Sequence, residues 1–197
     1  HSERVGTEHT LERLRAVELV PFAAGIDAGA DGVMTAHIAV PKITGTTRPA
    51  TLSPRMLEGV LRAEMGFDRL IISDSMSMAA ITGSFGPRES AVLAVKAGVD
   101  MLLRPPKPVA AYEAVLDALR RGELSRSRID ASVRRILRVK LDRGIISLSG
   151  SDARPDSSYR PVTARSQGQE PDEVLGSARH ERVVEDLMRR YRRRTQQ

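Results

Sequence analysis

Three residues at the ends of apolar runs have the types and placement to do chemistry together. His37 follows Val33-Met34-Thr35-Ala36, Asp74 follows Leu70-Ile71-Ile72-Ser73, and Arg104 follows Val99-Asp100-Met101-Leu102-Leu103. If each run is a strand of a parallel sheet, the three side chains share the rim where such folds bind ligands. A carboxylate there can act as nucleophile or base, cap the next turn, or pair with Arg104. An imidazole can line a pocket or stay hydrogen-bonded inside the fold, and the arginine adds a fixed positive charge. Other chemistries lack their motifs. Gly25-Ile26-Asp27-Ala28-Gly29 follows a helical pattern rather than opening one, which fails the context of a dinucleotide fingerprint. No serine sits in a nucleophile elbow. His1, His9, His37 and His180 have no metal-ligand spacing, so neither a metal nor another cofactor is expected.

The elements that must position these residues alternate between two periodicities. Leu11, Leu14, Val17 and Phe22 recur at helical spacing and predict an amphipathic helix over Leu11 to Ala24. Asp31 to Ile38, after a Gly-rich turn, predicts a buried strand. A Pro/Thr/Gly-rich loop spans Pro41 to Thr51. Ser53 then caps a helix with Pro54 at its first position, and that helix ends near Gly66. A second buried strand lies within Phe67 to Ser73, and a third over Val99 to Arg104, broken by Pro105-Pro106. Further helices are predicted over Glu89 to Gly98, Val109 to Arg121 and Arg128 to Arg143. Such alternation specifies parallel βαβ units, and strands apolar almost throughout are strands covered on both faces. An open doubly wound sheet and part of a barrel both satisfy this pattern.

Composition narrows the partners. A chain of 197 residues with 41% apolar and 28% charged content can bury one sizeable core. With 3% aromatics, stacking platforms for sugars or single-stranded nucleic acid must be sparse. The net charge of +6 does not predict nucleic-acid binding, because Arg189, Arg190, Arg192, Arg193 and Arg194 crowd the extreme C-terminus while the centre mixes both signs. The absence of cysteine excludes disulfides and thiolate zinc sites. No run approaches the roughly 18 apolar residues of a membrane span. The compartment stays open, cytoplasmic or exported. From Ile146 to Gly176 the composition turns to Ser, Pro, Asp, Arg and Gly, as in a linker or disordered segment. A basic helix then places Val183, Val184, Leu187 and Met188 on one side. The expected division is 1–145, 146–176 and 177–197.

Taken in order, several segments resemble the catalytic domain of glycoside hydrolase family 3, in its bacterial β-N-acetylglucosaminidase branch. They are Leu19-Val20-Pro21-Phe22, Ala28-Gly29-Ala30-Asp31-Gly32-Val33-Met34-Thr35-Ala36-His37-Ile38 and Arg48-Pro49-Ala50-Thr51-Leu52-Ser53. Met65-Gly66-Phe67-Asp68-Arg69-Leu70-Ile71-Ile72-Ser73-Asp74, Ala97-Gly98-Val99-Asp100-Met101-Leu102-Leu103 and Arg128-Ile129-Asp130-Ala131-Ser132-Val133-Arg134-Arg135-Ile136-Leu137 complete the series. The most specific is the segment ending in Asp74.

The resemblance implies an α/β fold, a partial (β/α)8 TIM-type barrel made of its C-terminal strands and helices. It implies hydrolysis of β-linked N-acetylglucosamine by retaining double displacement, as in peptidoglycan turnover, with Asp74 as the nucleophile. His1 falls where the branch's motif Lys-His-Phe-Pro-Gly-His-Gly…Asp-Ser/Thr-His ends, which makes it the candidate acid/base; imidazole suits that dual role near neutrality. His37, Met76 and Arg104 are the candidate substrate-binding residues. The first part of the barrel is expected to precede His1, and that missing N-terminal part is then a partner the chain needs. A β-glucosidase of the same family, and a catalytically inactive sugar-binding or interaction remnant, are the alternative readings.

Overall fold

Thr10 opens the first helix, its hydroxyl oxygen accepting from the Arg13 N–H at 3.3 Å. The computed structural model describes residues 6–146. His1, the expected linker from 147 onward and the expected basic helix over 177–197 lie outside the described residues. The chain divides into two units, His1–Val139 and Lys140–Gln197. Of the second, what is described is the end of the Arg126–Asp142 helix and its closing turn at Gly144.

The single helix predicted over Leu11 to Ala24 is two, Leu11–Ala16 and Val20–Asp27. Pro21 is the reason. It has no N–H to bond back to Val17 and its ring would crowd that carbonyl, so it starts a helix instead of continuing one. The expected loop after Val40 contains a short helix, Pro41–Thr44, and a 3-10 turn, Ala50–Leu52.

Two strands, β1 (Gly32–Met34) and β2 (Leu70–Ile72), pair in parallel with Gly32 opposite Leu70, Val33 opposite Ile71 and Met34 opposite Ile72. Both are shorter than the apolar runs that announced them. Between them runs a ten-residue helix, Arg55–Glu64, with the wide winding of a π-helix; it ends with Met65 N–H donating to Val60 O at 3.0 Å. Ser53 caps it as expected, its hydroxyl accepting from Met56 N–H at 3.4 Å. Gly66, at φ +71°, makes the left-handed exit into β2.

The predicted third strand is reduced to a single parallel bridge between Ile72 and Met101. Asp100 N–H donates to Ile71 O at 2.8 Å and Ser73 N–H to Met101 O at 3.0 Å, so pairing begins normally. The Ser73 hydroxyl then accepts the Leu103 N–H that a ladder carbonyl would have taken. Arg104 follows at φ +44°, and two prolines end any extension.

The main core gathers Leu52, Leu57, Leu61, Phe67, Ile71, Met76, Ile81, Ala94, Ala97 and Val99. The helices Pro87–Ala97 and Pro108–Arg120 bring small residues together, with Ala91 and Ala94 buried on one and Ala111, Ala114 and Ala118 on the other. Alanine faces let helix axes approach closely.

Beneath this core lies a buried charge. The Asp100 side chain is 0% exposed. Its Oδ2 accepts from Arg62 Nη2 at 2.7 Å and Ile71 N–H at 3.0 Å, and its Oδ1 accepts from Ser132 Oγ at 2.6 Å and Arg135 Nη1 at 3.1 Å. Arg128 Nη1 lies 3.5 Å from Oδ1 and donates to Ser132 Oγ at 2.6 Å. Burial lowers the Arg62 guanidinium below its ordinary pKa, with Asp100 opposing that shift and Arg135 adding to it. Removing the carboxylate strands three guanidiniums around an empty centre. Asp100→Ala should therefore cost about 3–5 kcal/mol, read as a fall in the urea-denaturation midpoint; an unchanged midpoint would show that the cluster is not what holds these elements together.

Candidate active site

The loops that leave β1, β2 and the Met101 bridge meet around residues 73–78. Thr35 N–H continues the pairing by donating to Ile72 O at 2.8 Å. Ser73 is fully buried and pinned to the neighbouring segment through both its N–H and its hydroxyl. Asp74 comes next, half-buried, with Oδ1 accepting from the N–H of Ser75 at 2.6 Å. Met76 N–H donates to Leu103 O at 2.9 Å, and Ser77 Oγ donates to Arg104 O at 2.7 Å. The backbone on either side of the carboxylate is thus fixed by bonds to another segment.

His37 enters from the β1 side, 5% exposed. Its Nδ1 lies 2.9 Å from Thr51 Oγ1 and its Nε2 lies 3.0 Å from Ser75 O. Thr51 Oγ1 also lies 2.8 Å from Thr35 Oγ1 and 3.1 Å from Ala36 O. Both ring nitrogens are engaged inside the fold.

The candidate residues therefore occupy different settings. Asp74 stands at the mouth of β2. His37 is committed to Thr51 and Ser75 rather than open to solvent. Met76, expected to contact substrate, is 1% exposed and belongs to the main apolar cluster, so its side chain supports the loop from within. Arg104 is exposed and offers its carbonyl to Ser77, while its guanidinium makes no ion pair among the described residues. His1, the candidate acid/base, lies outside them.

Sequence reasoning overlooked Thr35, Thr51, Ser73 and Ser75. One signal was available for Thr35: two residues before His37 in an extended run, it shares the histidine's face. Thr51 gave none, because its partner lies across a loop. A shallow pocket of about 220 Å³ opens between the loops that follow β1 and β2, lined by Thr46, Thr47, Arg48, Ala80, Ser84 and Phe85. Among the described residues, no group of three or more His, Asp or Glu side chains could hold a metal ion. No helix among them is long and apolar enough to cross a membrane.

Parallel strand–helix units with a carboxylate in the loop leaving a strand define an α/β domain, of the kind whose ligands generally bind at the C-terminal strand ends. The profile of the Glycosyl hydrolase family 3 N terminal domain matches residues 1–139, and the chain belongs to that family. A protein named beta-hexosaminidase from Xanthomonas oryzae pv. oryzae is 40% identical over 103 residues, 52% of this chain and 30% of the relative. The chain spans about 30% of the length of the curated relatives it matches. A glycoside hydrolase family 3 beta-N-acetylglucosaminidase from Paenibacillus sp. str. FPU-7 superimposes with TM-score 0.70 at 38% identity, over 83% of this chain and 32% of that one. The beta-N-acetylglucosaminidase from Thermotoga maritima does so with TM-score 0.62 at 32% identity, over 68% and 30%. These neighbours imply the α/β, TIM-barrel-like domain of the family.

The Thr51 hydroxyl is a buried hub for Thr35, Ala36 and His37. Thr51→Val keeps its shape and leaves those groups short of a partner, so it should destabilise the chain by about 1–3 kcal/mol. Thr51→Ser should lose less. Paired urea-denaturation curves compare the two, and a Thr51→Val loss no larger than that of Thr51→Ser would show that the hydroxyl is not the hub.

Proposed function

We propose that this chain carries the nucleophile of a retaining glycosidase acting on β-linked N-acetylglucosamine, and that the nucleophile is Asp74. In this reading residues 1–145 supply the C-terminal strands and helices of a (β/α)8 barrel, and the substrate lies over their C-terminal rim. The observation that carries the proposal is the setting of the Asp74 carboxylate. Oδ1 is held by the Ser75 N–H, while Oδ2 has no partner among the described residues. A carboxylate fixed through one oxygen presents the other for attack. The names of the relatives, a beta-hexosaminidase and a beta-N-acetylglucosaminidase, support this choice of sugar and of a β linkage.

The chemistry follows from that geometry. Oδ2 attacks the anomeric carbon as an acid protonates the departing glycosidic oxygen, giving a glycosyl ester on Asp74. The same group, now a base, takes a proton from water, which attacks the anomeric carbon and frees the carboxylate. His1 is the candidate for that acid/base, because imidazole gives and takes protons near neutrality. The exposed guanidinium of Arg104 is placed to meet polar groups of the saccharide.

Turnover of nitrophenyl N-acetyl-β-glucosaminide should be measured on the chain alone and with the N-terminal barrel half of a relative supplied in trans. Asp74→Asn should lower kcat by at least about 1,000-fold. Denaturing the wild-type reaction in the steady state should yield a peptide containing Asp74 heavier by one N-acetylglucosaminyl group. An Asp74→Asn protein as active as wild type overturns the assignment, and faster turnover of nitrophenyl β-glucoside would move the chain to the β-glucosidase reading.

A further inference from the structure

His37 is buried, and both of its polar atoms are used. A buried imidazole with satisfied nitrogens costs little to keep inside, but each bond it makes constrains the partner as much as the ring. Here the partner on one side is the carbonyl of Ser75, 38 residues away in sequence and next to Asp74.

The proton positions follow from the acceptors. A carbonyl oxygen can only accept, so Nε2 must carry hydrogen. In the neutral ring Nδ1 then accepts, and the Thr51 hydroxyl donates to it at 2.9 Å. Thr51 Oγ1 in turn accepts from the Thr35 hydroxyl at 2.8 Å. If the ring gains a proton, Nδ1 becomes a donor to Thr51, and Thr51 can turn its own hydrogen to Ala36 O at 3.1 Å. The Nε2–H bond to Ser75 O is present in both charge states. Thr35 and Thr51 therefore hold the ring in one orientation whatever its charge.

Ser75 joins the two halves of the arrangement. Its carbonyl accepts from His37, and its N–H donates to Asp74 Oδ1 at 2.6 Å. Gripping the carbonyl restricts the backbone rotations that would swing the N–H away from the carboxylate. The Ser75 carbonyl also accepts from Met78 N–H at 3.0 Å within the turn, while Met76 N–H bound to Leu103 O and Ser77 Oγ bound to Arg104 O hold its far side. His37 reaches the same carbonyl from the β1 side and ties the turn to that segment.

We propose that His37 is a positioning residue for Asp74: through its Nε2–H bond to the Ser75 carbonyl it fixes the Ser75–Met76 peptide and so restricts the Ser75 backbone, whose own N–H in the preceding peptide orients the Asp74 carboxylate. Its task is separate from substrate contact, because neither ring nitrogen is left to meet a sugar. The proposal rests on Asp74 being the nucleophile. A nucleophile displaced by a fraction of an ångström loses rate rather than affinity, so the signature of lost positioning is a fall in kcat with KM nearly unchanged.

Two substitutions separate positioning from mere filling of space. The amide nitrogen of His37→Gln reaches about as far as Nε2 and can donate to Ser75 O. That of His37→Asn stands near the Nδ1 position and reaches Thr51 alone. In the complemented assay, His37→Asn should lower kcat by about 10- to 100-fold with KM within about twofold, and His37→Gln should recover most of the loss. Long-range proton–nitrogen spectra of the wild-type chain should place a proton on Nε2 of His37. The Ser75 amide should exchange with deuterium faster in His37→Asn than in wild type or His37→Gln.

A neutral ring protonated on Nδ1 overturns the proposal, as does Ser75 exchange unchanged in His37→Asn. Equal kcat for the Asn and Gln variants does so too. An inactive wild type, or an active Asp74→Asn, is instead a failure of the nucleophile reading. The ring-proton and amide-exchange measurements would still decide whether His37 holds the turn.

Discussion

A single buried carboxylate organises the protein. The Asp100 side chain has no contact with solvent, and a charge so placed is tolerated only when its lone pairs are occupied. The donors come from the Arg55–Glu64 helix, the Arg126–Asp142 helix and the start of β2, so none of these can shift without stranding a charge. Three arginines around one aspartate leave an excess of positive charge. Backbone carbonyls absorb part of it: Arg62 donates also to Phe67 O and Arg69 O, and Arg128 to Val95 O and Val99 O. Arg62 still titrates low, chiefly because burial disfavours its charge.

The far end of β2 is held differently. There the bonds run through hydroxyls, amides, carbonyls and an imidazole: Thr35, Thr51, His37 and the Ser75 carbonyl on one side, Ser73 and Leu103 on the other. Hydrogen bonds of this kind fix geometry without placing a full opposite charge against the Asp74 carboxylate, the proposed nucleophile. The same three-residue strand is thus anchored by ions at its base and by polar, largely uncharged groups at its mouth. Strong, buried charge suits the part that must not move. Directional bonds suit the part that must be aimed.

The sequence made some of this legible and hid the rest. The apolar run ending in Asp74 located β2 and placed the carboxylate in the loop beyond it, because apolarity and a following turn are local signals. Ser53-Pro54 marked a helix start for the same reason. Pro21 was equally visible, but the apolar spacing running through it suggested a continuous helix. The third strand failed because the Ser73 hydroxyl, Arg104 and two prolines remove the ladder, although Val99 sits in the core and Leu102 packs against it. Asp100 looked like one polar residue in a strand, and nothing local announces three arginines folding back on it. Met76 and His37, both candidate substrate-binding residues, are turned inward by the chain, His37 into the hydrogen-bonded setting that its sequence context also allowed.

The turn after Asp74 also limits how the sequence can drift. The described bonds that Ser75 makes in this turn use its main chain, the N–H toward Asp74 and the carbonyl toward His37 and the Met78 N–H. Its hydroxyl takes no part in them. Selection at this position therefore acts on a backbone amide rather than on a side chain. Descendants of this sequence can exchange Ser75 for residues of other size or polarity while the turn persists, but proline, which lacks the hydrogen, is barred.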